Sequence, residues 1–329
     1  MQAGARPITG TLTRANRWEH ITARLGIDRM GRLVEPGLYA LGSPTADSPV
    51  FVSANYTLSF DALRSALAGL DGYILVLDTK GVNVWCAAGE GTFGTDEIVR
   101  QVEETNLKGV VKHRLLIAPQ LGAPGVAAHE VKKRSGFRVE YGPVRAADLP
   151  EYLKMHKATP EMRQVHFGLR DRLAVAAVDI VYGVLPALIV AIIAFLVGGW
   201  LAAGAAVMAA LAAVLLFPIL LPWLPTRDFT IKGLALGLAA MLPFAWVAFA
   251  LTPEAAWWLR AGGALAFLLV LPPLVAYLAL MFTGSTTFTS RTGVRREIFR
   301  YTPPLAVMFG IGIALTIVVT LLRVFGGQS

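Results

Sequence analysis

The alternation of hydrophobic and polar positions predicts two structurally different parts of the chain. From residue 49, short runs rich in β-branched and aromatic residues alternate with amphipathic runs, which is typical of βα units around a parallel sheet. Strands are predicted at 49–53, 73–78, 113–118 and 138–142. Helices are predicted at 60–69, 95–106, 125–134 and 147–156. The first half of the chain is therefore expected to form an α/β domain.

The second half of the chain consists mainly of long apolar runs. A helix of about 20 apolar residues crosses a bilayer core about 30 Å thick. Five runs reach that length, at 176–197, 200–222, 233–251, 261–282 and 303–322. The sequence thus predicts an all-α transmembrane domain of five helices after the α/β domain.

The distribution of charge predicts how these helices are oriented. Residues 173–329 hold only 8 Lys and Arg and 4 Asp and Glu. Basic residues are concentrated in the loops of one side, at Arg227, Lys232, Arg291, Arg295, Arg296 and Arg300. The other loops and the tail hold Arg260 and Arg323. Because short cytoplasmic loops retain Lys and Arg, we expect a multi-pass protein of the cell (inner) membrane. Its N-terminal domain is expected in the cytoplasm and its C-terminus outside.

These patterns divide the chain into four segments. We expect an N-terminal extension at 1–35, the cytoplasmic α/β domain at 36–157, a polar linker at 158–173 and the transmembrane domain at 174–329. The first thirty residues lack the apolar core of a signal peptide, in agreement with a cytoplasmic domain. Asp179 is the only acidic residue within the predicted spans. Since ion transport usually leaves ionisable groups in the membrane, the spans are expected to anchor the protein.

The net charge of +8 does not predict binding to nucleic acid. It divides equally between the two halves of the chain, and much of the charge of the second half marks the cytoplasmic loops. The lipid bilayer is the expected partner of those residues, and no nucleic acid is expected to bind.

Cys86 is the only cysteine of the chain and the first candidate for chemistry. It lies in 79–94, the longest segment at the carboxyl edge of the predicted strands, where open parallel sheets bind their ligands. One cysteine excludes a disulfide within the chain and a four-thiolate iron–sulfur cluster. A thiolate close to a helix N-terminus is stabilised, which favours a metal ligand or a nucleophile. A buried, inert thiol is the alternative, because free cysteine is often part of a core.

Two further patterns bear on cofactor binding. The histidines lack the HxxxH or HExxH spacing of metal sites; they are His20, His113, His129, His156 and His166. Residues 89–94 fit G-x-G-x-x-G, the dinucleotide fingerprint, but the next predicted strand ends without the acidic residue that would hold the ribose. A non-catalytic membrane sensor that binds a nucleotide through these glycines stays open as an alternative.

The residues around Cys86 resemble a known family. Residues 83–89 read Asn-Val-Trp-Cys-Ala-Ala-Gly, and Gly-Thr-Phe-Gly-Thr follows at 91–95. This pattern is similar to the signature of the HgcA family, the corrinoid proteins of microbial mercury methylation. Residues 36–39, 48–52 and 55–56 look like the wider family that includes the large subunit of the corrinoid iron–sulfur protein of the acetyl-CoA pathway. A five-span tail also matches the mercury-methylation branch.

The resemblance implies a fold, a cofactor and a set of site residues. It implies a Rossmann-like domain that binds a cobalamin-type corrinoid, with the motif on a short helix below the ring. The family's cysteine corresponds to Cys86, whose thiolate would be the lower axial ligand of cobalt and the catalytic residue. The other cofactor-binding positions of the motif would be Asn83, Val84, Trp85, Ala87, Ala88, Gly89, Gly91, Thr92 and Gly94. Ser53, Asn55 and Thr57, after the first predicted strand, are further candidates at the same edge.

The resemblance also implies a reaction and its partners. The protein would be a corrinoid-dependent methyltransferase that moves a methyl group from cobalt to Hg(II), giving methylmercury. A ferredoxin-like protein with two 4Fe–4S clusters would donate electrons and carry mercury, and the methyltetrahydrofolate pathway would supply the methyl group. The family motif usually has lysine after its last glycine, where this chain has Glu90. That reversed charge keeps open a corrinoid methyl carrier that acts on another acceptor in one-carbon metabolism.

Overall fold

The computed structural model describes residues 4–27, 31–286 and 291–326. The chain divides into two units, Met1–His166 and Phe167–Ser329. The first unit is an α/β domain and the second is helical, as the hydrophobic pattern predicts.

The first unit contains a six-stranded mixed sheet. Its strands are β1 (Arg6–Ile8), β2 (Gly37–Leu41), β3 (Val50–Ala54), β4 (Gly72–Leu77), β5 (Leu115–Ala118) and β6 (Arg138–Tyr141). Their order across the sheet is β1-β2-β4-β3-β5-β6. The last four strands of this order are parallel to one another. β2 runs antiparallel to β4, and β1 is parallel to β2.

The four predicted strands correspond to β3, β4, β5 and β6. The hydrophobic pattern does not predict β1 and β2, which together extend the sheet beyond β4. β1 has three residues and lies within the segment 1–35 that the sequence assigns to an N-terminal extension. A strand this short contains too few residues for a recognisable alternation of period two.

Seven helices connect or flank these strands in the described part of the first unit. They are α1 (Arg14–Arg24), α2 (Thr57–Ala66), α3 (Val84–Glu90), α4 (Thr95–Glu104), α5 (Leu107–Val110), α6 (Ala128–Ser135) and α7 (Leu149–Met155). The four helices predicted from amphipathicity are present as α2, α4, α6 and α7, with ends that differ by a few residues. α3 and α5 are too short to show a helical period.

The central strands are buried on both faces. Val50, Val52 and Ala54 of β3 pack into one hydrophobic cluster, whereas Phe51 packs into the other. Successive side chains of a strand point to opposite faces, so the two clusters lie on opposite sides of the sheet. The continuous apolar run of a strand such as β4 follows from burial on both sides.

The strand order reverses between β3 and β5. From β3 the chain passes through α2 to β4 on one side, and then crosses to β5 on the other side of β3. In open α/β sheets, the crevice at such a reversal, beyond the carboxyl ends of the strands, is the usual binding site. The segments that follow β3, β4 and β5 are therefore the ones that can contact a ligand.

The second unit is made of long helices. They are α8 (Leu169–Leu211), a π-helical turn (Ala212–Leu216), α9 (Phe217–Leu220), α10 (Phe229–Ala250), α11 (Trp257–Phe282) and α12 (Arg291–Gly326). Within the described residues, four helical stretches are long and apolar enough to cross a membrane: Leu169–Leu220, Phe229–Ala250, Trp257–Phe282 and Thr292–Phe325. The hydrophobic pattern predicts five, which these stretches do not confirm; the first stretch contains one predicted span and most of a second.

The first of these stretches is not straight. Gly199 has φ 66° and ψ −159°, which is not helical and which only glycine adopts readily. Nη1 of Arg172 donates to the carbonyl oxygens of Pro218 and Ile219, each at 2.8 Å, although 46 and 47 residues separate them. A straight helix would hold residues 172 and 218 about 70 Å apart. The chain therefore folds back at Gly199 into two antiparallel arms.

Candidate functional site

The motif around Cys86 forms the short helix α3 and its N-cap. Asn83 is the N-cap, with extended backbone angles, and its Oδ1 accepts a hydrogen bond from Cys86 N–H at 3.0 Å. Asparagine is among the preferred N-cap residues because its side-chain oxygen satisfies one of the first free amides of a helix. A short helix that carries the motif is what the resemblance implies.

Cys86 lies on the surface of the domain. It is a free cysteine and is exposed, so the alternative of a thiol buried in the core is wrong. Nδ2 of Asn83 lies 3.5 Å from Cys86 Sγ and donates to it. An accessible thiol with a hydrogen-bond donor beside it can act as a soft metal ligand or as a nucleophile.

The small residues of the motif lie on two different faces of α3. Gly89 and Glu90 are exposed like Cys86, whereas Ala87 and Ala88 are buried. Gly89 follows Cys86 by three residues and Glu90 follows it by four, so all three share one face of the helix. A Cβ added at Gly89 would have no atom of the chain within 4 Å. The packing of the chain itself therefore does not require glycine there.

Gly91, Thr92 and Gly94 form the turn between α3 and α4. Gly91 ends α3 in the left-handed conformation, with φ 89°, which glycine adopts without strain. The hydroxyl of Thr92 and the amide of Phe93 donate to Ala87 O at 3.4 and 3.1 Å. Gly94 is the N-cap of α4. The glycines of the G-x-G-x-x-G pattern thus lie in and after a helix, whereas the dinucleotide fingerprint requires them directly after a strand.

The buried face of α3 packs against the loop after β5, and the sequence predicts the segment 118–124 at the same carboxyl edge of the sheet. This loop, residues 120–125, forms a 3-10 turn after β5. A Cβ added at Gly125 would lie 2.2 Å from Phe93 O and 3.0 Å from Ala88 Cα. One added at Gly122 would lie 2.4 Å from the Phe93 ring. Such close approaches depend on tertiary packing, and the only signal in the sequence is a Gly- and Pro-containing run.

Asn55 connects the end of β3 to the loop that precedes α3. Its side chain is buried, and Oδ1 accepts hydrogen bonds from the backbone amides of Thr79 and Gly81, both at 3.0 Å. The Thr79 hydroxyl lies 2.8 Å from the same oxygen, and Nδ2 of Asn55 donates to Asp78 Oδ1 at 3.3 Å. Asn55 thus holds the motif loop against the carboxyl edge of the sheet, a role that sequence reasoning does not reveal.

The other two candidates, Ser53 in β3 and Thr57 in α2, lie at the same edge. Ser53 is buried, and its hydroxyl donates to Ala54 O at 3.1 Å. Thr57 is the first residue of α2, and its hydroxyl donates to Arg32 O at 2.9 Å. The structure therefore brings Ser53, Asn55 and Thr57 to the edge that carries the motif, and each of the three makes contacts within the chain.

A cavity of about 390 Å³ opens at this edge. Val84, Trp85 and Asn83 line it on the side of α3, and Ser53 lies at the end of β3. The remaining walls come from α2 and from the segments after β5 and β6, including Leu58, Pro119, Leu121, Pro143 and Val144. A mainly apolar cavity with a few polar groups is typical of sites for organic ligands. Cys86 lies on the same helix but outside the lining.

A half-buried tyrosine lies next to the loop 120–125, and two of the histidines lie elsewhere. Burial raises the pKa of Tyr141, and its hydroxyl donates to Val126 O at 2.6 Å beside the loop 120–125. Two of the histidines have partners elsewhere in the domain. Nε2 of His20 lies 2.7 Å from Asp61 Oδ2, and Nε2 of His113 lies 2.8 Å from Ser48 O. Among residues 4–27, 31–286 and 291–326, three or more His, Cys, Asp or Glu side chains do not come together as a metal site.

The fold and the site define an α/β domain with a cavity at the carboxyl edge of its sheet, and that domain is similar to a known family. Residues 28–153 match the CdhD family, described as CO dehydrogenase/acetyl-CoA synthase delta subunit. The match covers the sheet from β2 to β6, with α3 at its centre.

Two of the similar proteins are subunits, as their names state. The acetyl-CoA decarbonylase/synthase complex subunit gamma of Methanopyrus kandleri is 35% identical over 123 residues, which cover 37% of this chain and 26% of that protein. The corrinoid/iron-sulfur protein large subunit of Moorella thermoacetica is 27% identical over 128 residues, or 38% of this chain and 28% of that protein. The chain thus spans about a quarter of the length of these relatives. The expected resemblance to the large subunit of the corrinoid iron–sulfur protein is confirmed.

Proposed function

We propose that the first unit binds a corrinoid with the Cys86 thiolate as the lower ligand of cobalt, and that the protein transfers a methyl group from the corrinoid to Hg(II). The observation that carries this proposal is the exposed thiol of Cys86 on α3. This helix lies at the carboxyl edge of the sheet, where the strand order reverses between β3 and β5. Names of similar proteins include a corrinoid/iron-sulfur protein large subunit, which supports the choice of cofactor.

The residues present fit a large planar macrocycle. Gly89 shares the exposed face of α3 with Cys86, and a Cβ there would meet no atom of the chain. Glycine in a helix costs about 1 kcal/mol relative to alanine. A ligand lying flat on this face would explain why the chain has no side chain at 89. Asn83, Val84 and Trp85 would contact the same ligand from the cavity that they line.

Each residue would have a defined task in the reaction. Asn83 would orient Sγ of Cys86 by its donor bond, and Ala88 would hold α3 on the loop 120–125. When bound, a corrinoid supplies a cobalt ion that carries the methyl group, and an electron-rich thiolate ligand favours its transfer with the electron pair, the form that a soft electrophile such as Hg(II) accepts. Because this chain has one cysteine, it cannot hold a four-thiolate iron–sulfur cluster of its own. We therefore propose that a partner supplies the electrons, namely a ferredoxin-like protein with two 4Fe–4S clusters that also carries mercury.

A corrinoid methyl carrier with another acceptor is the second candidate. Glu90 favours it, because its exposed carboxylate lies one helical turn from Cys86 on the same face. A negative charge there would weaken docking of an acidic ferredoxin. In both cases the methyl group would come from the methyltetrahydrofolate pathway.

The second unit would anchor this chemistry to the cell membrane. The fold-back at Gly199 gives the first apolar stretch two arms, which supports five crossings and a C-terminus on the side opposite to a cytoplasmic first unit. Basic residues at 227, 232, 291, 295, 296 and 300 favour that orientation.

Anaerobic reconstitution of the detergent-purified full-length chain with cobalamin tests the cofactor and its ligand. We expect a base-off absorption spectrum with a thiolate–cobalt band that is lost in Cys86→Ala. Ser59→Ala, which changes a residue of the cavity wall outside α3, serves as the control and should keep the thiolate band. If neither the native chain nor the variants retain cobalamin after gel filtration, the proposal is wrong.

The acceptor is tested separately. Protein loaded with methylcobalamin is incubated with Hg(II) under reducing conditions, and methylmercury is measured by mass spectrometry in the native chain, Glu90→Lys and Glu90→Gln. Production by the native chain supports mercury methylation. No product from any of the three, with the spectrum of bound cobalamin intact, would favour the methyl carrier.

A further inference from the structure

The helix α1 turns a polar face toward the rest of its domain. Nη2 of Arg64 donates to Asn16 Oδ1 at 3.1 Å, and Nε2 of His20 lies 2.7 Å from Asp61 Oδ2. Asn16 and His20 are one helical turn apart, and their two partners belong to α2. Ala23, which follows on the same face, is buried. The bonds that hold α1 on α2 are thus made by polar and charged groups.

The opposite face of α1 is exposed and carries large apolar side chains. Trp18 is 66% exposed, and Ile21, three residues later on the same face, is 48% exposed. At 3.6 residues per turn, both lie on the side away from Asn16 and His20. Ile27, just after the helix, is also exposed. This is the reverse of an ordinary surface helix, whose apolar stripe faces the core.

Three arginines accompany these apolar side chains. Arg14, Arg17 and Arg24 are exposed and follow the same helical spacing. Within the part of the chain that the structure describes, none of the three forms an ion pair with a carboxylate. Glu19, the acidic residue of this helix, is half-buried and lies to one side of the exposed face. That face therefore combines apolar area with a net positive charge.

We propose that this exposed face of α1 binds an anionic phospholipid surface. The indole of a residue such as Trp18 is favoured at the boundary between headgroups and hydrocarbon. The planar guanidinium of arginine matches the geometry of phosphate. A helix with these two kinds of side chain lies in the plane of the interface, with its apolar groups among the acyl chains and its basic groups among the headgroups. The charge of the face thus selects an acidic lipid surface over an apolar protein groove.

The chain itself brings such a surface within reach. The first helical stretch that could cross a membrane begins at Leu169, and the first unit ends at His166. A contact between covalently linked groups forms at a high effective concentration, so that weak intrinsic affinity is sufficient. One short helix would therefore bind the membrane of its own chain, although it would bind separate vesicles poorly.

Spin labelling of the full-length chain in nanodiscs tests the proposal. In a Cys86→Ser background, which removes the native cysteine, a nitroxide is attached to Ile21→Cys. Lys133→Cys is the control, because its side chain is 77% exposed and α6 packs on the opposite side of the sheet from α2. Each disc holds one chain, in phosphatidylcholine alone or mixed with phosphatidylglycerol. Relaxation by oxygen, which enters lipid, is compared with relaxation by a nickel chelate, which stays in water.

The two labels are expected to differ in discs that contain phosphatidylglycerol. The label at 21 should collide more with oxygen and less with the nickel chelate than the label at 133. Arg17→Gln should lower the ratio of lipid-bound to free α1 about fivefold, because each basic residue adds to the attraction of an anionic surface. Trp18→Ala should weaken binding in both lipid compositions, because it removes apolar contact. Both replaced side chains are exposed, so both variants should keep the fold.

Three results would overturn the proposal. Equal relaxation of both labels by both reagents would show that α1 stays in water. Loss of collisions with both reagents at 21 would show that protein, and not lipid, covers this face. Binding that is the same with and without phosphatidylglycerol would refute an anionic partner. The measurement needs neither the corrinoid nor Cys86, so its outcome is independent of the proposed function.

Discussion

At the scale of single residues, Asn55 holds the loop that carries the candidate ligand. Its buried amide oxygen accepts from the backbone amides of Thr79 and Gly81, and its nitrogen donates to Asp78. Asp78 N–H in turn donates to Glu97 Oε1 of α4 at 2.8 Å. The loop before α3 is therefore fixed both to β3 and to α4. Because α3 follows this loop directly, the same bonds help to fix the position of Cys86.

Asn55→Ala is expected to destabilise the first unit. Buried donors that lose their acceptor cost about 1–3 kcal/mol each, so we expect a loss of about 2–4 kcal/mol, reduced where water enters. Scanning calorimetry of the full-length chain in detergent measures the change. Gln164→Ala removes an exposed amide and should leave the transition in place. An equal effect of both substitutions would contradict the role of Asn55.

The sequence predicts some of these residues and not others, for physical reasons. Cys86 is singled out because it is unique and follows a predicted strand, and its exposure removes the alternative of a core thiol. The inward direction of Ala87 and Ala88 is not predictable, because a helix of seven residues shows no period. The contacts of Gly125 depend on residues more than thirty positions away. Close approach of that kind leaves no local pattern.

At the scale of elements, α3 has one face for the protein and one for solvent. The first packs on the loop 120–125 through Ala88, and the second carries Cys86, Gly89 and Glu90. Gly89 of α3 and Gly125 of the loop 120–125 lie on opposite faces of this helix. They should therefore respond differently to the same substitution.

Gly89→Ala and Gly125→Ala form a matched pair. Gly125→Ala places a Cβ 2.2 Å from Phe93 O, and we expect a loss of about 1–3 kcal/mol from overpacking. Gly89→Ala meets no atom of the chain and should gain up to about 1 kcal/mol from helix propensity. On the proposed function, the same Gly89→Ala should weaken cobalamin binding, measured by equilibrium dialysis. Unchanged affinity would show that the face of α3 around residue 89 does not contact the ligand.

At the scale of the whole molecule, the number of membrane crossings decides on which side of the membrane the C-terminus lies. The hydrophobic pattern indicates five spans, whereas the described residues form four apolar helical stretches. The numbers differ because two helices that meet at the kink of Gly199 are counted as one stretch. With five crossings the two termini lie on opposite sides of the membrane, and with four they lie on the same side. The fold-back at Gly199 favours five.

A reporter at the C-terminus tests this count. Alkaline phosphatase is active only outside the cytoplasm. Green fluorescent protein fluoresces in the cytoplasm, but it does not fluoresce after export through the general secretion pathway. We expect active phosphatase and no fluorescence for C-terminal fusions of the full-length chain. A control fusion after Arg227, in the loop before α10, should show the reverse. Active phosphatase after Arg227 together with fluorescence at the C-terminus would indicate four crossings, with the first stretch crossing once.

The fold-back at Gly199 also bears on how the protein enters the membrane during synthesis. Arg172 closes the base of the two arms by its bonds to Pro218 and Ile219, and the tip is a pair of glycines, 198 and 199. Between residues 173 and 226 the only charged side chain is Asp179. The arms can therefore insert together as a helical hairpin whose tip crosses the bilayer without carrying a charge through it. Once inserted, this hairpin would tether the newly made α/β domain to the membrane before α10 has left the ribosome.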